Sequence, residues 1–341
     1  MERFLAINDI NVKGKRVLLR VDLNSSVIKG KVLESARFKE HAKTISELKK
    51  KKAKVIVLAH QSRPKEKNFI DLRQHTKILN KYVKINFVKG IINKRAIKKI
   101  NSLKNGEALL LDNVRFLKEE FNLSKNNKLI KALASLSDIY VQDALSVCHR
   151  KNASVLGFPK VLPSYAGPVL VRELEVLSKI GSPKKPVVYI FGGVKSKDYI
   201  VLMKKAMKQK AIILTNGLVK MKGVIVPIDY VDSKHKDIGE KTIKEYSKII
   251  KSARTIFMKG AIGYIEDKKF QRGTKELLKV IGDNRKAFSI IGGGSLSTLI
   301  KELRINTNKF SYISLSGGAL VKYLAGEKLP GLEVLKKERK R

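Results

Sequence analysis

Short runs of β-branched and aliphatic residues recur along the chain, and the stretches between them carry apolar positions at helical spacing. In the first half the runs are Arg16 to Leu23, Lys54 to Ala59, Val83 to Val88, Ala108 to Asp112 and Asp138 to Val141. A second series comprises Val187 to Phe191, Ala211 to Leu214, Val224 to Ile228, Thr255 to Met258, Ala287 to Ile291 and Tyr312 to Leu315. Alternation of this kind predicts parallel strands joined by crossover helices. Between the two series, Leu162-Pro163-Ser164-Tyr165-Ala166-Gly167-Pro168 interrupts regular structure, and Val169 to Ile180 resumes the helical pattern. The expected fold is α/β: two doubly wound parallel-sheet, Rossmann-like domains over 1–166 and 183–325, joined by a hinge helix at 167–182. The tail, 326–341, carries one apolar group at Leu332, Val334 and Leu335; it docks on the first domain or frays.

Composition narrows the class. A length of 341 residues is a prior for two domains that each bury a full core, and 43% hydrophobic residues exclude wholesale disorder. Cys148 is the one cysteine, so no internal disulfide forms. The first residues lack the basic and apolar stretches of a secretory signal, and no apolar run approaches the 20 or so residues of a spanning helix. A reducing, cytoplasmic location without membrane insertion is the default expectation. The outlying number is charge: 73 basic against 30 acidic residues give +43. Most of the excess is Lys spread over every segment, with no interleaved aromatics and no base-reading module. That distribution fits a solvated basic surface with a general attraction for anions, and no specific nucleic-acid partner is expected.

Against this Lys-rich background, Arg at strand ends is informative, because a planar donor fork suits phosphate and carboxylate. Arg20, Asp22 and Asn24 follow the first run, with Arg37 close after; His60 and Arg63 follow the second. Arg115, Asp143, His149 and Arg150 come later in the same half. A small ligand with several negative groups is the implied occupant. Cys148 beside His149 suits a nucleophile pair in spacing alone, but no third orienting group accompanies it.

The second half instead offers glycines at strand ends: Gly192-Gly193, Asn216-Gly217, Gly260-Ala261-Ile262-Gly263, Gly292-Gly293-Gly294 and Gly317-Gly318. Glycine lets a backbone approach a ligand closely, and helix-leading amides hold phosphate oxygens. Their repetition points to a nucleotide phosphate site, although neither the dinucleotide fingerprint nor the P-loop pattern occurs at the expected place. Lys195, just beyond Gly193, is suited to stabilise a transferring phosphoryl group.

In order along nearly the whole chain, these residues resemble the phosphoglycerate kinase family. The matching stretches are Arg16 to Asn24, Ala59 to Pro64, Asp143 to Arg150, Gly192 to Asp198, Asp237 to Thr242, Ile290 to Gly294 and Leu329-Pro330-Gly331. Val155 to Phe158 after His149-Arg150 is similar to archaeal members. The resemblance implies phosphoglycerate on the N-terminal half, Mg2+ with ATP or ADP on the C-terminal half, and closure about the hinge. It implies that Asp22 and Asn24 orient the substrate, that His60, Arg63, Arg115 and Arg150 clamp its phosphate, with His149 adjoining, and that Arg37 and Lys195 serve the transferring group. The nucleotide side would comprise Gly192, Gly193, Lys195, Lys197, Gly217, Gly263, Glu266, Gly292, Gly293, Gly294, Ser295, Gly317 and Gly318. The reaction implied is reversible transfer between 1,3-bisphosphoglycerate with ADP and 3-phosphoglycerate with ATP, by a monomer.

Departures concentrate in the second half. Ser295 stands where the family pattern has an acidic residue beside the metal nucleotide, leaving the metal ligand unassigned; Lys259 replaces Asn and Ala261 replaces Pro. Tyr199 takes the place of a second Lys, Asn216 and Ser316 take glycine positions, and the chain between Gly217 and Asp237 is shortened. Two readings follow: a working kinase, favoured by the persistence of Arg37, Lys195 and the glycine loops, or a pseudoenzyme that binds phosphoglycerate without turnover. Nucleic-acid binding through net charge is a third, set apart by steep salt dependence without sequence preference.

Overall fold

The computed structural model describes residues 4–193, 199–219 and 221–336. By internal packing it divides into two compact units: residues 1–175 with 328–341, and residues 176–327.

The first unit is built on a six-stranded sheet. Its strands are β1 (Arg16–Arg20), β4 (Lys54–Leu58), β5 (Asn86–Phe87), β6 (Ala108–Leu110), β7 (Ile139–Gln142) and β8 (Ser164–Ala166). The spatial order is β5-β6-β4-β1-β7-β8, all parallel. A two-stranded antiparallel ribbon, β2 (Val27–Ile28) with β3 (Lys31–Val32), sits outside it. The central strands read as continuous apolar runs because both sheet faces are covered. Val17 and Leu19 point to one layer, with Phe38, Ala42, Ile45 and Leu48 of helix α1 (Ala36–Lys50). Leu18, Ile56, Leu58 and Tyr140 point to the other, with Ala96 and Ile100 of helix α3 (Lys94–Asn101), Leu129 and Leu133 of helix α4 (Lys128–Ala134), and Phe158. Helix α2 (Arg73–Leu79) packs Ile78 and Leu79 into the first layer. Each fully buried Leu or Ile contributes about 1.5–3 kcal/mol.

The segment from Leu162 to Pro168 was expected to be irregular, yet Ser164–Ala166 forms β8 at the sheet edge. Pro163 is tolerated because it precedes the strand and serves only as an acceptor, its carbonyl taking the Tyr140 N–H at 2.9 Å. Helix α5 (Ala153–Leu156) leads to this turn, and helix α6 (Pro168–Gly181) leaves it; the division between units falls within α6, after Glu175. Near the C-terminus, helix α12 (Pro330–Glu333) belongs to the first unit, with the Gly331 N–H donated to the Cys148 carbonyl at 2.8 Å.

The second unit holds a parallel five-stranded sheet, β10-β9-β11-β12-β13. Its strands are β9 (Val187–Phe191), β10 (Ile212–Thr215), β11 (Thr255–Lys259), β12 (Phe288–Gly292) and β13 (Tyr312–Ser314). Helices α8 (Glu240–Ser252), α9 (Arg272–Asp283) and α10 (Gly294–Glu302) cover the face carrying Val188, Ile190, Ile256 and Met258. On the other face Tyr189, Phe191 and Phe257 form an aromatic layer, extended by Tyr199 at 5.3 Å from Phe191. Helices α7 (Ile200–Lys208) and α11 (Gly318–Ala325) pack against each other. The expected strand over Val224 to Ile228 is absent. Only Ile225 bridges to Leu214, because Pro227 has no N–H to extend the ladder and Ile228 is 63% exposed. In each unit the chain reverses its direction of strand addition beside the first strand laid down. That point lies between β1 and β7 in the first unit and between β9 and β11 in the second, where open α/β sheets place their ligands.

Candidate active site

At the β1/β7 switch point the chain delivers a dense group of cations. Arg20, at the end of β1, is 1% exposed, and its Nη2 lies 3.2 Å from His60 Nδ1 beyond β4. Its Nε donates to Ser154 Oγ at 3.0 Å, and the buried Glu120 carboxylate accepts both the Ser154 N–H at 2.9 Å and its hydroxyl at 2.8 Å. Arg115 follows β6 and donates from Nη1 to the Ser62 carbonyl. Burial, then the charges of Arg150 and Arg20, lower the Arg115 guanidinium from 12.5 to about 10. Arg150 is lowered likewise, by burial and by Arg63. Burial and the neighbouring Arg20 hold His60 well below the usual imidazole range, so its ring is neutral near pH 7. Mutual depression of this kind marks like charges crowded without enough counter-anion.

Asp22 is the acid within the group. Burial would raise its carboxyl, but Arg37, His60, the Ser146 hydroxyl and the Asn24 N–H outweigh that and hold it well below the carboxylate range. Arg37 Nε lies 3.1 Å from Asp22 Oδ2, and its Nη1 donates to the Asn24 carbonyl. The Asn24 side-chain oxygen takes the Ser62 N–H at 2.7 Å, tying the β1 loop to the β4 loop. Thus Asp22, Asn24, Arg37, His60, Arg63, Arg115 and Arg150 share one neighbourhood, with Arg63 at its solvent side, where the side chain is 62% exposed. His149 is half-buried next to Arg150 in sequence. Cys148 is fully buried, its thiol pushed up by burial and donating to the Ala144 carbonyl at 3.4 Å, which removes the nucleophile reading.

Sequence reasoning singled out Arg20 as a strand-end cation without assigning it to the site. It gave no sign of Glu120, Ser146 or Ser154, whose partners lie 34 to 134 residues away.

At the β9/β11 switch point the backbone does the work. A Cβ on Gly192 would sit 2.1 Å from the Ala261 carbonyl oxygen, and one on Gly260 (φ +81°) 2.1 Å from the Gly192 oxygen. Both strand ends therefore close on each other only as glycines. Gly293 precedes α10, and the Lys259 ammonium lies where a Gly293 side chain would stand, 2.3 Å from its ideal Cβ position. Gly294 and Ser295 open α10, Gly292 ends β12, and Gly317 and Gly318 lead into α11. The Gly263 N–H is donated to Thr274 Oγ1 at 3.1 Å, and Gly217 packs under the Tyr230 hydroxyl. Glu266 is exposed. The buried Asp237 carboxylate accepts the N–H groups of Ile238 and Gly273, fixing the loop beside Gly263. Gly193 has a positive φ, and the Lys195 and Lys197 assignments fall outside the described residues. Among the described residues no three His, Cys, Asp or Glu side chains converge as a metal centre.

A guanidinium-rich group of strand ends in one α/β unit and a glycine-rich group of strand ends in the other define a class of protein that handles two polyanions, one of them suited to backbone amides. The family model described as Phosphoglycerate kinase matches residues 7–226 and 222–327. Phosphoglycerate kinase of Sulfurisphaera tokodaii is 37% identical, over 96% of this chain and 95% of its own. That of Methanothermus fervidus is 35% identical, over 100% and 99%. Among solved structures, phosphoglycerate kinase from Pyrococcus horikoshii OT3 superposes with a TM-score of 0.89 at 28% identity, over 97% of this chain and 98% of that one. The chain belongs to the phosphoglycerate kinase family, phosphotransferases with a carboxyl group as acceptor. Its activity is phosphoryl transfer between phosphoglycerate and a nucleotide; the reading as a binding-only pseudoenzyme is not favoured.

Proposed function

We propose that the first unit, with its C-terminal return, binds 3-phosphoglycerate or 1,3-bisphosphoglycerate at the β1/β7 crevice, and that the second binds ATP or ADP at the β9/β11 crevice. The observation that carries this is the gathering of Arg20, Arg115, Arg150 and His60 at one set of strand ends, where Glu120 and Asp22 offset the charge on Arg115 only in part and burial, Arg150 and Arg20 push its guanidinium down to about 10. A doubly anionic ligand relieves that crowding, whereas water does not. In this assignment Arg63, Arg115 and Arg150 hold the substrate phosphate and neutral His60 hydrogen-bonds it. Asp22 and Asn24 orient the hydroxyl and carboxyl end, with His149 at the margin. Arg37, held by Asp22, and Lys195 are assigned to neutralising the transferring phosphoryl group.

Covalent work by the protein is slight in such a transfer. In-line positioning, exclusion of water and charge neutralisation supply the rate. On the nucleotide side the same reading assigns backbone contacts to Gly192, Gly193, Gly217, Gly263, Gly292, Gly293, Gly294, Gly317 and Gly318, and side-chain contacts to Lys197, Ser295 and Glu266. The described groups on this side, amides and the Lys259 ammonium, suit phosphate oxygens rather than a protein-held cation. In this reading Mg2+ enters with the nucleotide, as the counter-ion of its phosphates. No helix among the described residues is long and apolar enough to cross a membrane; a cytoplasmic monomer is the proposed state.

The assignment is tested by calorimetric titration of 3-phosphoglycerate into the protein and its Arg115→Met and Arg150→Met variants. Loss of at least about tenfold in affinity in each, from removal of a charged hydrogen bond, is expected. Unchanged affinity in both would remove the phosphate site from this crevice.

A further inference from the structure

His41 lies on α1, one helical turn beyond Arg37, and is 1% exposed. Its Nε2 accepts the backbone N–H of Asp22 at 3.2 Å, and its Nδ1 lies 2.9 Å from Asp143 Oδ2. An amide N–H can only donate, so Nε2 must be the bare nitrogen and the ring proton resides on Nδ1, donated to Asp143. The other Asp143 oxygen accepts the Val169 N–H at 2.8 Å, in the first turn of α6. Gly167 is the residue that admits this carboxylate, since a Cβ there would sit 2.2 Å from Asp143 Oδ1. Asp143 is 0% exposed and takes donors on both oxygens, so the imidazole is clamped from behind. The ring passes that fixity to Asp22, whose carboxylate holds Arg37 at 3.1 Å and the Ser146 hydroxyl.

We propose that His41 is a positioning residue for phosphoryl transfer: through the Asp22 amide it sets the carboxylate that aims Arg37, with Asp143 and the start of α6 as its anchor. The inference rests on the kinase reading and on Arg37 serving the transferring group. What His41 adds is a buried, single-tautomer support reaching the Asp22 backbone from helix α1. Only the nitrogen facing Asp22 is connected to Arg37; the nitrogen facing Asp143 is connected to the anchor. The two halves of the ring can therefore be separated by substitution, because Gln places its amide near the Nε2 position and Asn near the Nδ1 position.

His41→Gln keeps an acceptor for the Asp22 N–H, and His41→Asn keeps a donor for Asp143. Turnover with saturating ATP and 3-phosphoglycerate, the KM for each, and thermal midpoints are measured for both variants beside the unmodified protein. His41→Asn is expected to lose about 100-fold in kcat, the scale of a catalytic group misplaced by roughly 1 Å, with the KM for ATP unchanged. His41→Gln is expected to stay at least tenfold above it at a comparable thermal midpoint. An Asn variant as active as the Gln variant, or losses in kcat that follow the thermal midpoint alone, would overturn the proposal. Independently of any variant, 15N-resolved NMR of the unmodified protein is expected to show the His41 proton on Nδ1; a proton on Nε2 overturns the arrangement even if both variants fail to fold. Absence of turnover in the unmodified protein would refute the kinase reading instead, and the NMR result would still stand or fall by itself.

Discussion

Replacing Arg115 by Met should separate stability from function in one substitution. The guanidinium is 5% exposed and is lowered from 12.5 to about 10 by burial and by Arg150 and Arg20. At 1.36 kcal/mol for each tenfold, that corresponds to about 3 kcal/mol by which charge is disfavoured in the ligand-free fold. Met keeps most of the aliphatic stem and removes the charge, but forfeits the donation to the Ser62 carbonyl, a charged hydrogen bond that contributes about 1.5–3 kcal/mol. The ligand-free variant should therefore be as stable as the parent or more so, by up to about 2 kcal/mol, a rise in Tm of up to about 6 °C for a unit of this size. Substrate reverses the order. At 100 times its Kd, 3-phosphoglycerate should add about 2.7 kcal/mol to the parent and much less to the variant at the same concentration. Thermal melts by circular dichroism, with and without 3-phosphoglycerate at low ionic strength, read both quantities. A variant that melts several degrees below the parent without ligand, yet gains the same increment on adding it, would refute the crowded-cation argument.

Two further outcomes follow from the same geometry. Asp22 binds its proton more weakly in the folded chain than in the unfolded one, so the stability it contributes is present above its usual 3.8 and is lost as pH falls below that value. Asp22→Asn should accordingly lower Tm at pH 7, by breaking a buried ion pair worth about 3 kcal/mol when one partner is removed, and the gap to the parent should narrow in melts below pH 3.8; a gap independent of pH would count against it. Gly260→Ala forces a Cβ to 2.1 Å from the Gly192 carbonyl oxygen at φ +81°, so a loss of at least about 2 kcal/mol and of ATP binding is expected by denaturant titration and calorimetry, whereas a variant that binds ATP normally would show that the two strand ends need not close.

Much of the fold is legible in the sequence itself. Strands such as Val187–Phe191 and Thr255–Lys259 are legible because a parallel strand covered on both faces must be a continuous apolar run. Strand β8 was hidden by Pro163, which signals a break unless the sheet edge leaves its missing N–H unneeded. The Val224 to Ile228 run misled for the opposite reason: its apolar residues promised a strand, and Pro227 with the shortened connection left a single bridge. At the site, strand-end Arg residues stand out against a Lys-rich background, and the structure places Arg150 within electrostatic reach of Arg20, Arg63 and Arg115. Their support was not legible. Glu120 reaches Arg20 through Ser154, and Asp143 reaches Asp22 through His41, contacts whose meaning exists only once the sheet brings distant segments together.

The central claim is transfer between a phosphoglycerate held by the first unit and a nucleotide held by the second. It is tested most directly by ATP-dependent formation of the acyl phosphate from 3-phosphoglycerate with magnesium, trapped by a coupled dehydrogenase, in the unmodified chain and its Arg37→Ala and Lys195→Ala variants. Turnover in the unmodified chain that falls by at least about 100-fold in each variant, the scale of a lost transition-state charge contact, is the expected result. Turnover that survives both substitutions, or an unmodified chain that binds 3-phosphoglycerate yet transfers nothing from any nucleotide, would contradict it.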